Sequence, residues 1–127
     1  MTRARGWALQ NALAAYLRTW FPHAESAGAG RQGTDILGTP GIDWECKTAV
    51  NFKEQFRPLA WARQSEARTA GSGDIPVVVY FPAGIGEKNT ANSLAIVPLH
   101  VLMQLLVESG WADRPAPVSF GETGAAL

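Results

Sequence analysis

Between Gly33 and Lys47 the chain passes from one extended run, through a turn, into a second. No other stretch restricts the fold as much. Thr34-Asp35-Ile36-Leu37 is the first run, Gly38-Thr39-Pro40-Gly41 carries turn residues, and Ile42 to Thr48 is the second. Side chains alternate across a strand, so Ile42, Trp44 and Cys46 are expected on one face and Asp43, Glu45 and Lys47 on the other. The apolar set can enter a core while carboxylates and an ammonium stand on the opposite side. A tight hairpin would bring Asp35 next to them. Two carboxylates and a lysine converging there can hold a hard divalent cation and orient a water.

Composition sets the frame for that site. The chain has 127 residues, 46% of them hydrophobic and 17% charged, which suits one domain with a buried core. A single cysteine excludes an internal disulfide and a cysteine-rich zinc site. No apolar run reaches membrane-spanning length and no signal-peptide pattern opens the sequence, so cytoplasm is the expected compartment and no membrane partner is expected. Net charge is zero, which argues against a generic nucleic-acid binder. The charge is uneven, however. Residues 1–70 hold nine Lys/Arg against six Asp/Glu, net +3, and residues 71–127 hold two against five, net −3. A metal held by Asp35 and Glu45 would make the first part more attractive to phosphate.

The remaining elements follow from periodicity. Trp7, Leu9, Leu13, Tyr16, Leu17 and Trp20 recur at helical spacing over Thr2 to Trp20, and Phe21-Pro22 ends that helix. Arg3, Arg5 and Arg18 project from it toward solvent or a phosphate backbone. His23 to Ser26 reads as a short edge strand. The glycine-rich loop after it delivers Arg31 close to Asp35, where a guanidinium could clamp a phosphate. Pro58 fits the first turn of a second helix that ends at Gly71, with Arg57, Gln64 and Arg68 sharing a side. Ile75 to Phe81 is a strand buried on both faces, Ser93 to Val97 a last short strand. Pro98 to Ser109 is a third helix whose Leu99, Leu102, Met103, Leu106 and Val107 form an apolar stripe, with His100 a partnerless surface histidine. Asp43 reads as an exposed strand end. The order implies a mixed sheet with helices on both sides over residues 1–110, followed by a Pro/Gly/Ala-rich tail, 111–127.

The spacing Asp35-x9-Glu45-x-Lys47 resembles the PD-(D/E)XK nuclease superfamily. A narrower resemblance runs to about Val107. Arg5-Gly6-Trp7, Tyr16-Leu17, Pro22 to Ser26, Thr34 to Gly41 with Glu45-Cys46-Lys47, Trp61 with Gln64, Pro76 to Val79 and a leucine-rich last helix stand in order. Together they are similar to the small Holliday-junction-resolvase-like endonucleases of actinobacterial phages.

That resemblance implies a restriction-endonuclease-like α/β fold, an αβββαβ core plus an extra strand and a C-terminal helix. It also implies a homodimeric, Mg2+-dependent endodeoxyribonuclease, with Mn2+ able to substitute, acting on DNA that includes branched forms, and a phage or prophage origin. Asp35, Glu45 and the Cys46 carbonyl would ligate metal. Lys47 would orient or deprotonate the attacking water or stabilise charge on phosphorus, with Gln64 and Gln10 completing the catalytic set. Arg3, Arg5, Arg31, Lys53, Arg57 and Arg68 are the expected nucleic-acid contacts. Gln10 departs from the pattern, since such proteins often carry a glutamate there. A weak DNA-binding relative, or a non-enzymatic structural module in which Asp35 and Lys47 form only a salt bridge, are the alternatives.

Overall fold

The computed structural model describes residues 3–28, 33–48 and 56–113. The elements follow in the order α1 (Arg3–Leu17), β1 (Glu25–Ser26), β2 (Ile36–Leu37), β3 (Ile42–Thr48), α2 (Pro58–Thr69), β4 (Ile75–Phe81), a short 3-10 helix (Glu87–Asn92), β5 (Leu94–Ile96) and α3 (Leu99–Glu108). This is a mixed α/β arrangement. A three-stranded sheet, β3-β4-β5, is parallel between β3 and β4 and antiparallel between β4 and β5. Parallel neighbours need a crossover, and α2 supplies it.

Alternation along the strands decides which helix meets which face. Trp44, Val77, Val79 and Phe81 enter the main core with Leu9, Leu13, Ala14 and Leu17 of α1. Leucines four residues apart lie on one side of a helix, so that spacing turns a single stripe of α1 to the sheet. Val78 and Tyr80 point the other way. Tyr80 there meets Trp61 of α2, with ring centroids 5.6 Å apart. The sheet is therefore covered on both faces, and the strictly apolar β4 is the strand that this double burial requires.

The first helix is narrower in its burial than its periodicity suggests. Trp7, Tyr16 and Trp20 of the expected stripe stay exposed. The third helix departs further. Of its expected stripe, Leu99, Leu102 and Met103 are exposed, and Val101 is the residue that it buries. Amphipathic spacing tells which residues share a side, but not whether anything covers them. Exposed Leu94 on β5 and Trp111 add to the apolar surface at this end of the chain.

The expected hairpin is replaced by a three-part arrangement. β2 forms its ladder with β1, pairing Ser26 with Ile36 and Glu25 with Leu37. Its link to β3 is made by Thr34 and Asp35 instead. The turn between β2 and β3 uses Gly38 and Gly41, both in the left-handed region at φ 83° and 84°. At Gly38 a Cβ would also collide with the His23 carbonyl, so glycine is demanded twice there. No helix among the described residues is long and apolar enough to cross a membrane.

Candidate active site

Thr34 and Asp35 stitch the end of β2 to β3. The Thr34 hydroxyl donates to the Ile36 carbonyl at 2.9 Å and accepts the Trp44 N–H at 2.8 Å. The Asp35 N–H donates to the Trp44 carbonyl at 2.7 Å, while the Asp35 carbonyl accepts from Ala27 at 2.9 Å. With its backbone fixed on both sides, the Asp35 side chain reaches one residue pair along β3. Its Oδ2 accepts the Cys46 N–H at 2.7 Å. Cys46 sits between Glu45 and Lys47, so this bond fixes the first carboxylate beside the other two groups.

The same bond orients Cys46. In an extended strand the N–H and C=O of one residue point to the same edge. Trp44 obeys this, since its N–H and its carbonyl both face the Thr34–Asp35 segment. The Cys46 carbonyl accordingly emerges on the edge that carries Asp35, as a backbone ligand would. The thiol goes toward α1. Burial first, then the charges of Asp35 and Glu45, push its pKa above the usual thiol range, so it is a poor nucleophile.

On the α2 face lies an ion network that sequence reading missed. Asp43, expected as an exposed strand end, is only 7% accessible. It is bound by Arg68, whose Nε lies 3.0 Å from Asp43 Oδ1 and 3.1 Å from Oδ2, with Nη2 in a further short contact to Oδ1. The same guanidinium reaches Glu45 Oε2 through Nη1 at 2.8 Å. Lys47 stands 3.4 Å from the other oxygen, Glu45 Oε1. The hydrogen bonds that Arg68 donates to Asp43 hold its pKa above its ordinary value; burial opposes the rise, and Glu45 adds to it. Arg68, expected as a nucleic-acid contact, is thus committed within the protein. A planar fork that spans two carboxylates is a task for which lysine has no equivalent.

Asp35 carries the electrostatic signature of this crowding. Its pKa is pushed up to about 6, chiefly by burial. The Cys46 hydrogen bond opposes the rise, Glu45 reinforces it, and Arg68 and Lys47 pull the value down. Three charged groups and one backbone N–H therefore act on one carboxylate.

Gln10 also comes alongside. A cleft of about 40 Å³ lies between Gly6, Leu9 and Gln10 of α1 and Cys46, Lys47, Thr48 and Phe81 of the sheet. The Gln10 Oε1 accepts from the Ser26 hydroxyl at 3.1 Å, which directs its amide toward β1. Gln64 is exposed on α2, one turn from both Trp61 and Arg68, on the rim of the network. Arg57 is exposed at the start of α2. Arg31 and Lys53, and the side chains of Arg3 and Arg5, lie outside the described residues, as does the tail beyond Asp113. His100, expected without a partner, is exposed and lies 3.2 Å from Glu66.

The donor set can be tested against the expected metal. Among the described residues no group of three or more His, Cys, Asp or Glu side chains is arranged to hold an ion. The donors that β3 brings near Asp35 are the Glu45 carboxylate and the Cys46 carbonyl, all oxygen. That set suits Mg2+, which takes one or two carboxylates and keeps several waters, and it does not suit zinc. Comparison of the chain with protein-family models, with characterised proteins and with solved structures gives no match, which leaves these side chains as the ground for a functional reading.

Proposed function

We propose that this protein is a Mg2+-dependent DNA endonuclease of the PD-(D/E)XK type, hydrolysing phosphodiester bonds, with branched DNA among its substrates. The reading rests on one observation. The Asp35 carboxylate is hydrogen-bonded to the N–H of Cys46, the residue between Glu45 and Lys47, at 2.7 Å. That bond joins acid, acid and lysine through the backbone that would supply the third ligand.

In this reading Asp35, Glu45 and the Cys46 carbonyl hold the ion, and the ion supplies Lewis-acid stabilisation and an acidified water. Lys47 sits close enough to Glu45 to share a water with it. The lysine orients that water for attack and counters the charge that grows on the phosphoryl oxygens. Arg68 holds Glu45 through its other carboxylate oxygen, Oε2. Asp35, with its pKa near 6, ionises in the range where Mg2+ competes with the proton for its oxygens.

A homodimer belongs to the same proposal. The exposed Leu94, Leu99, Leu102, Met103 and Trp111 supply the kind of apolar surface that a second copy covers. Gel filtration at the dimer mass is the expected result. A phage or prophage origin and action in the cytoplasm of a bacterial host complete the reading.

A second reading is favoured by one specific observation, namely that Arg68 and Lys47 already occupy both Glu45 oxygens. A structural module, or a DNA-binding relative with weak catalysis, would have that arrangement as its final state. One experiment separates them. A panel of four-way junction, flap, single-stranded and linear duplex DNA is incubated with and without Mg2+, beside the Lys47→Ala protein. Metal-dependent cleavage that disappears in the variant supports the endonuclease. Intact DNA throughout, with no heat of Mg2+ binding by calorimetry, supports the module.

A further inference from the structure

Next to Lys47, on the α2 face, three aromatic rings meet in a way that the proposed chemistry does not use. Phe56 precedes α2, Trp61 lies in the first turns of that helix, and Tyr80 is directly opposite Lys47 in the β3–β4 register. Ring centroids are 4.8 Å apart for Phe56–Tyr80, 5.4 Å for Phe56–Trp61 and 5.6 Å for Trp61–Tyr80. Such a cluster in a small domain is usually closed over. This one is open, with Phe56 55% exposed.

We propose that the Phe56–Trp61–Tyr80 cluster is a stacking seat for an unpaired nucleobase, so that the strand cut at this site is single-stranded at, or next to, the scissile phosphate. The inference rests on the endonuclease reading and names its substrate class.

Two features point to that occupant. The Lys47 ammonium lies 5.8 Å from the Trp61 ring centroid and 3.4 Å from Glu45 Oε1, so one cation borders both the rings and the carboxylates. A base on the rings would place its own phosphate, or the next one, at that ammonium. The carboxylates lie on the Lys47 side of the rings, and the segment that carries Phe56 and Trp61 is basic. Arg57, four residues before Trp61 and so on the same side, is exposed, and no acid occurs from Phe56 to Ser65. Exposed aromatics set among cations are how proteins hold single strands, because every base offers a π face and every linkage a charge. A paired base within a duplex keeps its faces covered by its neighbours, so only an unpaired or extruded one can use the seat.

The test is a binding measurement that needs no turnover. The full chain, in EDTA, is titrated into a single strand of about 12 nucleotides carrying one 2-aminopurine, and into the same sequence as blunt duplex. The expected result is 2-aminopurine quenching and tighter binding for the single strand. Phe56→Leu keeps the apolar contact without the stacking face and is expected to weaken single-strand binding about five- to a hundredfold. Phe56→Tyr should restore it.

Equal affinity of Phe56→Leu and wild type for the single strand would overturn the seat. A shift of Phe56→Leu from dimer to monomer with unchanged single-strand binding would overturn it as well, since the rings would then belong to an interface between copies. The two proposals fail separately. Flap cleavage with Mg2+ that is unaffected by Phe56→Leu removes the seat and leaves the nuclease. Quenching by a protein that cuts no DNA keeps the seat as a binding site and removes the nuclease.

Discussion

Replacing Arg68 by methionine keeps most of the side chain's apolar stem and deletes the guanidinium. The cost can be bounded from exposure. Surface ion pairs contribute about 0–1 kcal/mol, whereas removing one partner of a buried pair costs about 3–5 kcal/mol because the other charge is left without compensation. Side-chain exposure is 10% for Asp43, 20% for Glu45 and 27% for Arg68. The abandoned charge would be mainly that of Asp43, which water scarcely reaches, while the partial exposure of Arg68 screens part of the original attraction. A loss of about 2–3 kcal/mol follows. For a domain of this size that is a drop of roughly 8–11 °C in Tm.

Two further outcomes separate this mechanism from loss of packing. Acid relieves an unpaired buried carboxylate by protonating it, so the loss should be larger at pH 8 than at pH 5. The double variant Arg68→Met with Asp43→Leu should recover most of the stability, because it leaves no stranded charge at position 43. Urea unfolding followed by tryptophan fluorescence at both pH values measures all of this. A loss below about 0.5 kcal/mol at pH 8 would place the network among ordinary surface pairs and refute the reasoning.

Other expectations follow from the same geometry. The folded-state pKa of Asp35 lies above its ordinary value, so the folded form binds this proton more tightly, and stability falls as pH rises from about 4 through about 6. Asp35→Asn, melted without metal, should therefore be more stable than wild type above pH 6 and lose that advantage near pH 4. A flat difference across the range would contradict the shift. Gln10→Glu adds a carboxylate to the cleft beside Cys46 and Lys47, and should lower the Mg2+ concentration needed for half-maximal cleavage several-fold; an unchanged metal titration would show that position 10 does not face the ion. Gly38→Ala should cost several kcal/mol by forcing β2 away from His23, with circular dichroism and thermal melts as the readout. A melt like wild type would mean that the β1–β2 pair yields without penalty.

The parts of this site that could be read from sequence are those governed by strand periodicity. Asp43, Glu45 and Lys47 share a face, as alternation requires, and Trp44 on the other face enters the core. Helix boundaries were close for the same kind of reason. Pro58 starts α2, and Gly110, at φ 85°, follows the end of α3. What was not legible was non-local. Asp43 looked like a surface residue because its partner is 25 positions away, across the crossover. The Thr34 hydroxyl that bridges to Trp44 resembles any turn threonine in sequence. Phe56, Trp61 and Tyr80 meet only when α2 folds back over β4. The apolar stripe of α3 was visible, but nothing within the stripe says what lies against it.

The parallel pairing of β3 with β4 has a consequence for assembly. A chain made from its N-terminus presents Asp35, Asp43 and Glu45 before Arg68 exists, and β3 cannot find its neighbour until the whole crossover has been synthesised. Until then the acidic strand lacks both its guanidinium and its ladder, and water is the better host for those charges. The loop must close before the long-range contacts repay it, which makes this a late step in folding. The ion network of Asp43, Glu45 and Arg68 therefore closes in the same step as the sheet, when β4 docks.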